Sequence, residues 1–227
     1  AGIDDGGAAE AYALALEALR DGRRSDALAR LRRLQIDFPG FEDMPAVQTR
    51  VAVLQEAGVA GPALDLFLEA LAHRDAGDVL SASARLAALV ETYPDSTLVD
   101  DALYLRAYFA LMDRYDFAAA REALLELGRR FPDTAYRDSA VYLDAIALEQ
   151  LGRTGAARAA LATLRDRHTA VTLPFDYRWP AGGVMSRYWF DRADRRLDMI
   201  DRRLRDASTL RSREEAQGGR LRLDVVV

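Results

Sequence analysis

Apolar residues recur along this chain at helical spacing, in short stretches broken by turn signals. Leu103, Ala107, Ala110 and Leu111 share one face of a predicted helix, and Phe117, Ala120, Leu124 and Leu127 share one face of the next. Ala-rich patterns follow turn residues at "DGRRSDALARLRRL", "AGVAGPALDLFLEAL", "AGDVLSASARLAAL", "MDRYDFAAAREALLEL" and "LGRTGAARAALATL". Three aromatic–Pro pairs, Phe38-Pro39, Tyr93-Pro94 and Phe131-Pro132, punctuate the series. At the offset that separates Pro94 from Pro132, Ala102, Tyr104, Leu105 and Ala107 match Ala140, Tyr142, Leu143 and Ala145.

A proline after a helix cannot continue it and disfavours helix at the residue before. Asp95 with Ser96, and Asp133 with Thr134, then offer acceptors for the next helix start. "TLVD", 97–100, reads as a capping box with Asp in place of Glu. The pattern predicts antiparallel helix hairpins that bury their apolar faces by stacking. Turn signals stand near Gly22, Gly58, Gly77, Arg114 and Gly152, and the step from Gly58 to Gly77 is only half as long as the others. The short interval predicts nine helices before residue 169 with one break in pairing. The helix over about 61–75 reads either as the second of one pair or the first of the next.

The pattern changes after residue 168. "TAVTLPFDYRWPAGGV" predicts a loop over 169–184. A long helix over 185–213 follows, with Phe190, Ala193, Leu197, Ile200, Leu204 and Ala207 forming a narrow seam. Asp191–Arg195, Asp198–Arg202 and Asp201–Arg205 stand four apart and are expected to pair on its outer face. The tail over 214–227, "GGRLRLDVVV" at its end, switches to strand-like alternation and suggests a strand or the start of a further domain. The expectation is thus an all-α chain: a hairpin solenoid over 1–168, a loop, a long capping helix and a tail.

Composition agrees with a helical protein. Half of the 227 residues are hydrophobic and 30% are charged. All 31 basic residues are arginine, read here as codon bias of a GC-rich gene. Residues 1–113 carry 10 Arg against 19 acids, and residues 114–227 carry 21 against 17, so the halves differ in charge, −9 and +4. The Arg-rich stretch over 187–213 is interrupted by Asp191, Asp194, Asp198, Asp201 and Asp206, which predicts a solvated, self-paired helix rather than a nucleic-acid surface. There is no apolar run near the ~20 residues of a membrane span. The opening "AGIDDGGAAE" shows no signal-peptide pattern and reads as a processed or engineered end, which leaves a removed leader open.

Little points to chemistry. The chain has no cysteine, and its two histidines, His73 and His168, fall at predicted helix ends, where they cap carbonyls. No nucleophile-elbow, phosphate-loop or dinucleotide pattern occurs. Asp100 and Asp101 fall at a helix start, where acids favour the helix dipole. The chain is therefore expected to be no enzyme, with no cofactor and no metal.

The hairpin pattern over residues 8–168 resembles the tetratricopeptide repeat: a Tyr in the first helix, an Ala after the turn, an aromatic or Leu four residues on, and Pro at the end. Within it, "AGD…YPDS…DDALYLRAYFAL…YDFAAAREALLELGRRFPDT…LGRTGAARAALATL" is similar to bacterial Tol–Pal-associated periplasmic repeat proteins and, more loosely, to outer-membrane-assembly lipoproteins of the same repeat. The resemblance implies a non-catalytic scaffold for protein partners in the periplasm or cell envelope. The alternatives are a cytoplasmic regulatory module, or a structural subunit held by the C-terminal helix and tail. It implies a groove lined by first helices, with Tyr12, Leu16, Phe67, Leu71, Leu105, Phe109 and Met112 as candidates. They are apolar and so fit an amphipathic helix or apolar peptide; the residues that clamp a carboxylate in chaperone-binding relatives are absent. The same side chains could instead be core. A second candidate is the aromatic cluster of Phe175, Tyr177, Trp179 and Trp189, as a partner anchor or as a cap on the solenoid.

Overall fold

In the computed structural model, residues 5–58, 61–166 and 185–216 are described. They form ten helices and no strand among the described residues. These are α1 (Asp5–Arg20), α2 (Arg24–Asp37), α3 (Met44–Glu56), α4 (Pro62–Asp75), α5 (Val79–Thr92), α6 (Val99–Met112), α7 (Phe117–Arg130), α8 (Arg137–Gln150), α9 (Thr154–Asp166) and α10 (Met185–Ala216). The predicted loop over 169–184, most of the tail and His168 lie outside the described residues.

Two kinds of joint alternate. Tight turns close the hairpins α1–α2, α4–α5, α6–α7 and α8–α9, whose members pack most closely. In three of them a glycine just before the next helix takes the left-handed conformation: Gly22, Gly77 and Gly152, with φ of 72–79°. In α6–α7 the turn is one residue longer and Tyr115 takes that role at φ 55°. Asp78 and Asp116 then cap α5 and α7, accepting from the backbone N–H of Ser81 and Ala119 at 3.0 Å.

The aromatic–Pro pairs are the other joint. Phe38, Tyr93 and Phe131 end α2, α5 and α7 with nearly the same backbone, φ −128 to −133° and ψ 60 to 69°. Each donates its N–H back into its helix, to Leu34, Leu89 and Leu127. Ser96 and Thr134 serve as the acceptors expected of them, taking the N–H of Leu98 at 3.2 Å and Tyr136 at 3.3 Å. The capping box at 97–100 does not form. α6 starts at Val99 with Leu98 at its cap and no side-chain cap bond, because Ser96 already turns the chain.

The break in pairing falls on α3. Its entry has the aromatic–Pro joint of a first helix, and it packs on α2. Its exit through Gly58 and Gly61 leads to α4, which turns at Gly77 to pair with α5. The helix at 61–75 is therefore the first of a pair. Left without a second helix, α3 is buried on most sides, including Met44, Val47, Val51, Val53 and Leu54. One apolar cluster runs unbroken from Ala8 to Ile200. Buried alanines at 27, 82, 107, 120, 145 and 157 let neighbouring backbones approach.

α10 closes the far end. Ala193, Leu197 and Ile200 are buried against α9 and α8, as the seam predicts, whereas Leu204 and Leu210 are exposed. Its charges do more than pair along their own helix. Asp198 does face Arg202, at 4.0 Å, but Asp201 pairs with Arg158 of α9 at 2.6 Å. Arg196 and Arg203 converge on Glu149 of α8 at 2.9 and 3.0 Å. Docking on α8 and α9 brings these partners closer than the helix's own next turn.

A polar tie links α6 to α8 inside the core. Asp101 is fully buried and accepts from the Tyr136 hydroxyl, whose ring stacks on Tyr104 at 4.0 Å. Beside it Thr134 donates to Asp100 at 2.7 Å. Removing a hydrogen bond to a buried charged group costs about 1.5–3 kcal/mol. Tyr136→Phe is expected to lower unfolding stability by about 2 kcal/mol, seen as a lower urea midpoint with an unchanged slope.

Candidate functional site

The predicted groove residues do not line one open trough. Phe67 and Phe109 are 0% and 1% exposed and belong to the core. This corrects their reading as groove-facing: both rings are packed into the core cluster by neighbouring helices and do not line an open groove. Leu71 and Leu105 are also buried, and with Phe109 they edge a cleft against α3 of only about 50 Å³, room for a water or two. Met112 is 47% exposed at the end of α6, one turn beyond Phe109. Tyr12 is buried, edge-on to Phe41 at 5.7 Å, with the Arg50 guanidinium over its ring at 5.7 Å. Phe175, Tyr177 and Trp179 lie outside the described residues. Trp189 is within α10, but its side chain is outside them.

Leu16, among the described residues of the predicted set, opens onto a sizeable concave surface. Between α1 and α4 lies a cleft of about 560 Å³, with Ala13, Leu16 and Leu19 on one wall and Leu68 and Ala72 on the other. Arg50 of α3 reaches it from below. Two ion pairs at the cleft tie α4 to other helices. Arg24, at the start of α2, pairs with Asp65 near the start of α4, and Arg50 pairs with Asp75 at the end of α4. On the wall, Glu69 pairs with Arg85 of α5 at 3.1 Å. Arg20 at the mouth makes no ion pair among the described residues.

Little of this is foreseen from the sequence. Arg50 stands inside an apolar stretch, "AVQTRVAVL", and an arginine on a buried helix face must find an acid. That signal was present; its partner, Asp75 at the far end of the following helix, was not legible. The lone histidine of the described residues behaves differently from expectation. His73 Nδ1 lies 3.5 Å from Asp78, the cap of the following helix, so its side chain faces the next helix start rather than the carbonyls ending its own. Glu56, Asp100 and Asp101 bring three carboxylates within 4.8 Å, with Asp100 and Asp101 engaged by Thr134 and Tyr136.

The α1/α4 cleft combines apolar walls with paired charges. Its apolar walls offer contact area, while Arg24, Arg50, Asp65, Glu69 and Asp75 are already committed to ion pairs that hold the walls in place. The chain matches no protein-family model, and no curated protein is similar to it at a significant level. No helix of the described residues is long and apolar enough to cross a membrane.

Arg50 is almost fully buried while Asp75 is one-third exposed. Asp75→Ala strands the guanidinium, and unfolding free energy is expected to fall by about 3 kcal/mol in urea titrations. Burial pushes the Tyr12 phenol up to about 12. The folded state then keeps a proton that the unfolded chain releases above about pH 10. The contribution of this residue is full below pH 10 and is lost as pH rises toward 12, by about 2–3 kcal/mol. Tyr12→Phe is expected to lose that much less over the same window, followed by circular dichroism.

Proposed function

We propose that this protein is a non-catalytic scaffold for protein partners in the bacterial cell envelope, working in the manner of tetratricopeptide-repeat proteins. The observation that carries this reading is the α1/α4 cleft. It is apolar along its walls, flanked by ion pairs at both ends of α4, and large enough for one or two side chains of a docking peptide or amphipathic helix. Rigid walls reduce the ordering cost of association, so affinity comes from the apolar anchors that enter. α10 packs on α8 and α9 at the other end of the chain, which leaves the cleft uncovered by it. The envelope location rests on the repeat resemblance over residues 8–168. Fractionation of cells making the full gene product tests it, and a purely cytosolic protein would favour the regulatory-module reading.

The cleft is tested by a photo-crosslinking side chain placed at Leu19 in the producing cell. A discrete adduct is expected there, and it should be lost on Leu68→Arg or Leu16→Asp in protein whose melting stays cooperative. A crosslinker at the exposed Ile36 of α2 is the control. Equal adducts from Ile36, or adducts at Leu19 indifferent to both substitutions, would sink the reading. A second reading, a structural subunit held through α10, draws on the exposed Leu204 and Leu210. Adducts at Leu210 in place of Leu19 would favour it.

A further inference from the structure

A second cleft, of about 570 Å³, lies between α7 and α9 with α8 along its floor, on side chains the α1/α4 site does not use. Leu124, Leu127, Phe131, Ala140, Val141 and Ala160 make it apolar. Gly128, in the last turn of α7, is part of its wall. The fold does not require a glycine there. Its backbone is ordinary helix, and a Cβ built on it would meet nothing within 4 Å. A glycine inside a helix is less favourable than alanine. What it provides is a bare patch of backbone facing the cleft.

The rim is cationic. Arg129 makes no ion pair among the described residues. Arg137 has one, a long contact of 3.8 Å to its neighbour Asp138. The acid in the lining, Asp144, is taken by Arg121 at 2.7 Å. An occupant must therefore bring an apolar side chain flanked by acids.

The outer face of α1 has that composition. Leu14 is 43% exposed, and Glu10 and Glu17, four residues before and three after, are exposed on the same face. Neither glutamate makes an ion pair among the described residues. The opposite net charges of the two halves of the chain, −9 and +4, act in the same direction.

We propose that a second copy of this chain is the occupant: Leu14 of one copy enters the α7/α8/α9 cleft of another over Gly128, with Glu10 and Glu17 beside Arg129 and Arg137. The two surfaces are different patches on one molecule, so the contact is head-to-tail and adds copies without closing a two-fold dimer. One helix laid in one cleft falls in the small, transient class of interfaces, and its charges make it sensitive to salt.

Sedimentation of the full chain from about 10 to about 500 µM tests this. Mass is expected to rise with concentration at about 20 mM salt and to return to monomer at about 500 mM. Leu14→Arg spoils one surface, and Gly128→Leu projects a side chain into the other from a Cβ that meets nothing within 4 Å, so each alone should weaken association by at least about tenfold. Each variant keeps the surface the other has lost. Mixed in equal amounts they should form a dimer that grows no further, an outcome that misfolding or a self-complementary patch would not give. A wild-type chain that is monomeric throughout would overturn the proposal and leave the cleft to a helix of another protein. Association that survives both substitutions, or a mixture that stays monomeric while the wild type associates, would overturn it as well.

Discussion

Every helix from α2 to α9 is short, of a length at which an isolated helix is marginal in water. Burial of an apolar face against a neighbour is therefore the constraint on which the whole structure rests. No single hairpin satisfies it, since the face turned to the next hairpin would stay wet. The unbroken cluster from Ala8 to Ile200 is the solution, and the buried alanines set how closely the helices approach. The same constraint explains the end. The last hairpin, α8–α9, needs a cover, and α10 supplies one through Ala193, Leu197 and Ile200.

Within that apolar body the charged groups act as ties between elements distant in sequence. Arg50 with Asp75 joins α3 to α4, and Arg24 with Asp65 joins α2 to α4. Tyr136 with Asp101 joins α8 to α6. Such pairs are poor sources of net stability, because taking charges out of water offsets much of the attraction. Their effect is on geometry: a buried arginine is tolerated only where its acid is present, so the packing of α3 against α4 is specified. The α1/α4 cleft is a consequence. α3 has no second helix of its own, and the residues of these pairs line the space between α1 and α4.

Much of the architecture was legible in the chain. Hairpin turns depend on a few adjacent residues, so Gly22, Gly77 and Gly152 mark them, and the aromatic–Pro pairs mark the joints between hairpins. The seam of α10 was legible for the same reason. The candidate site was much less so. Phe67 and Phe109 carry the spacing of a groove face, yet they are core, because exposure depends on which helices lie alongside. Asp201 could pair with Arg205 within its helix, but docking gave it Arg158 of α9.

The sequence by itself determined where helices start and stop, which of their faces are apolar, and that one helix would lack a mate. These follow from backbone preferences and side-chain spacing, which act over a handful of residues. Tertiary structure decided which helix was left over, which apolar faces stayed open to solvent, and which acid met which arginine. Those outcomes depend on distances between segments far apart in the chain, as in Arg50–Asp75 and Arg203–Glu149, and spacing along the chain does not encode them.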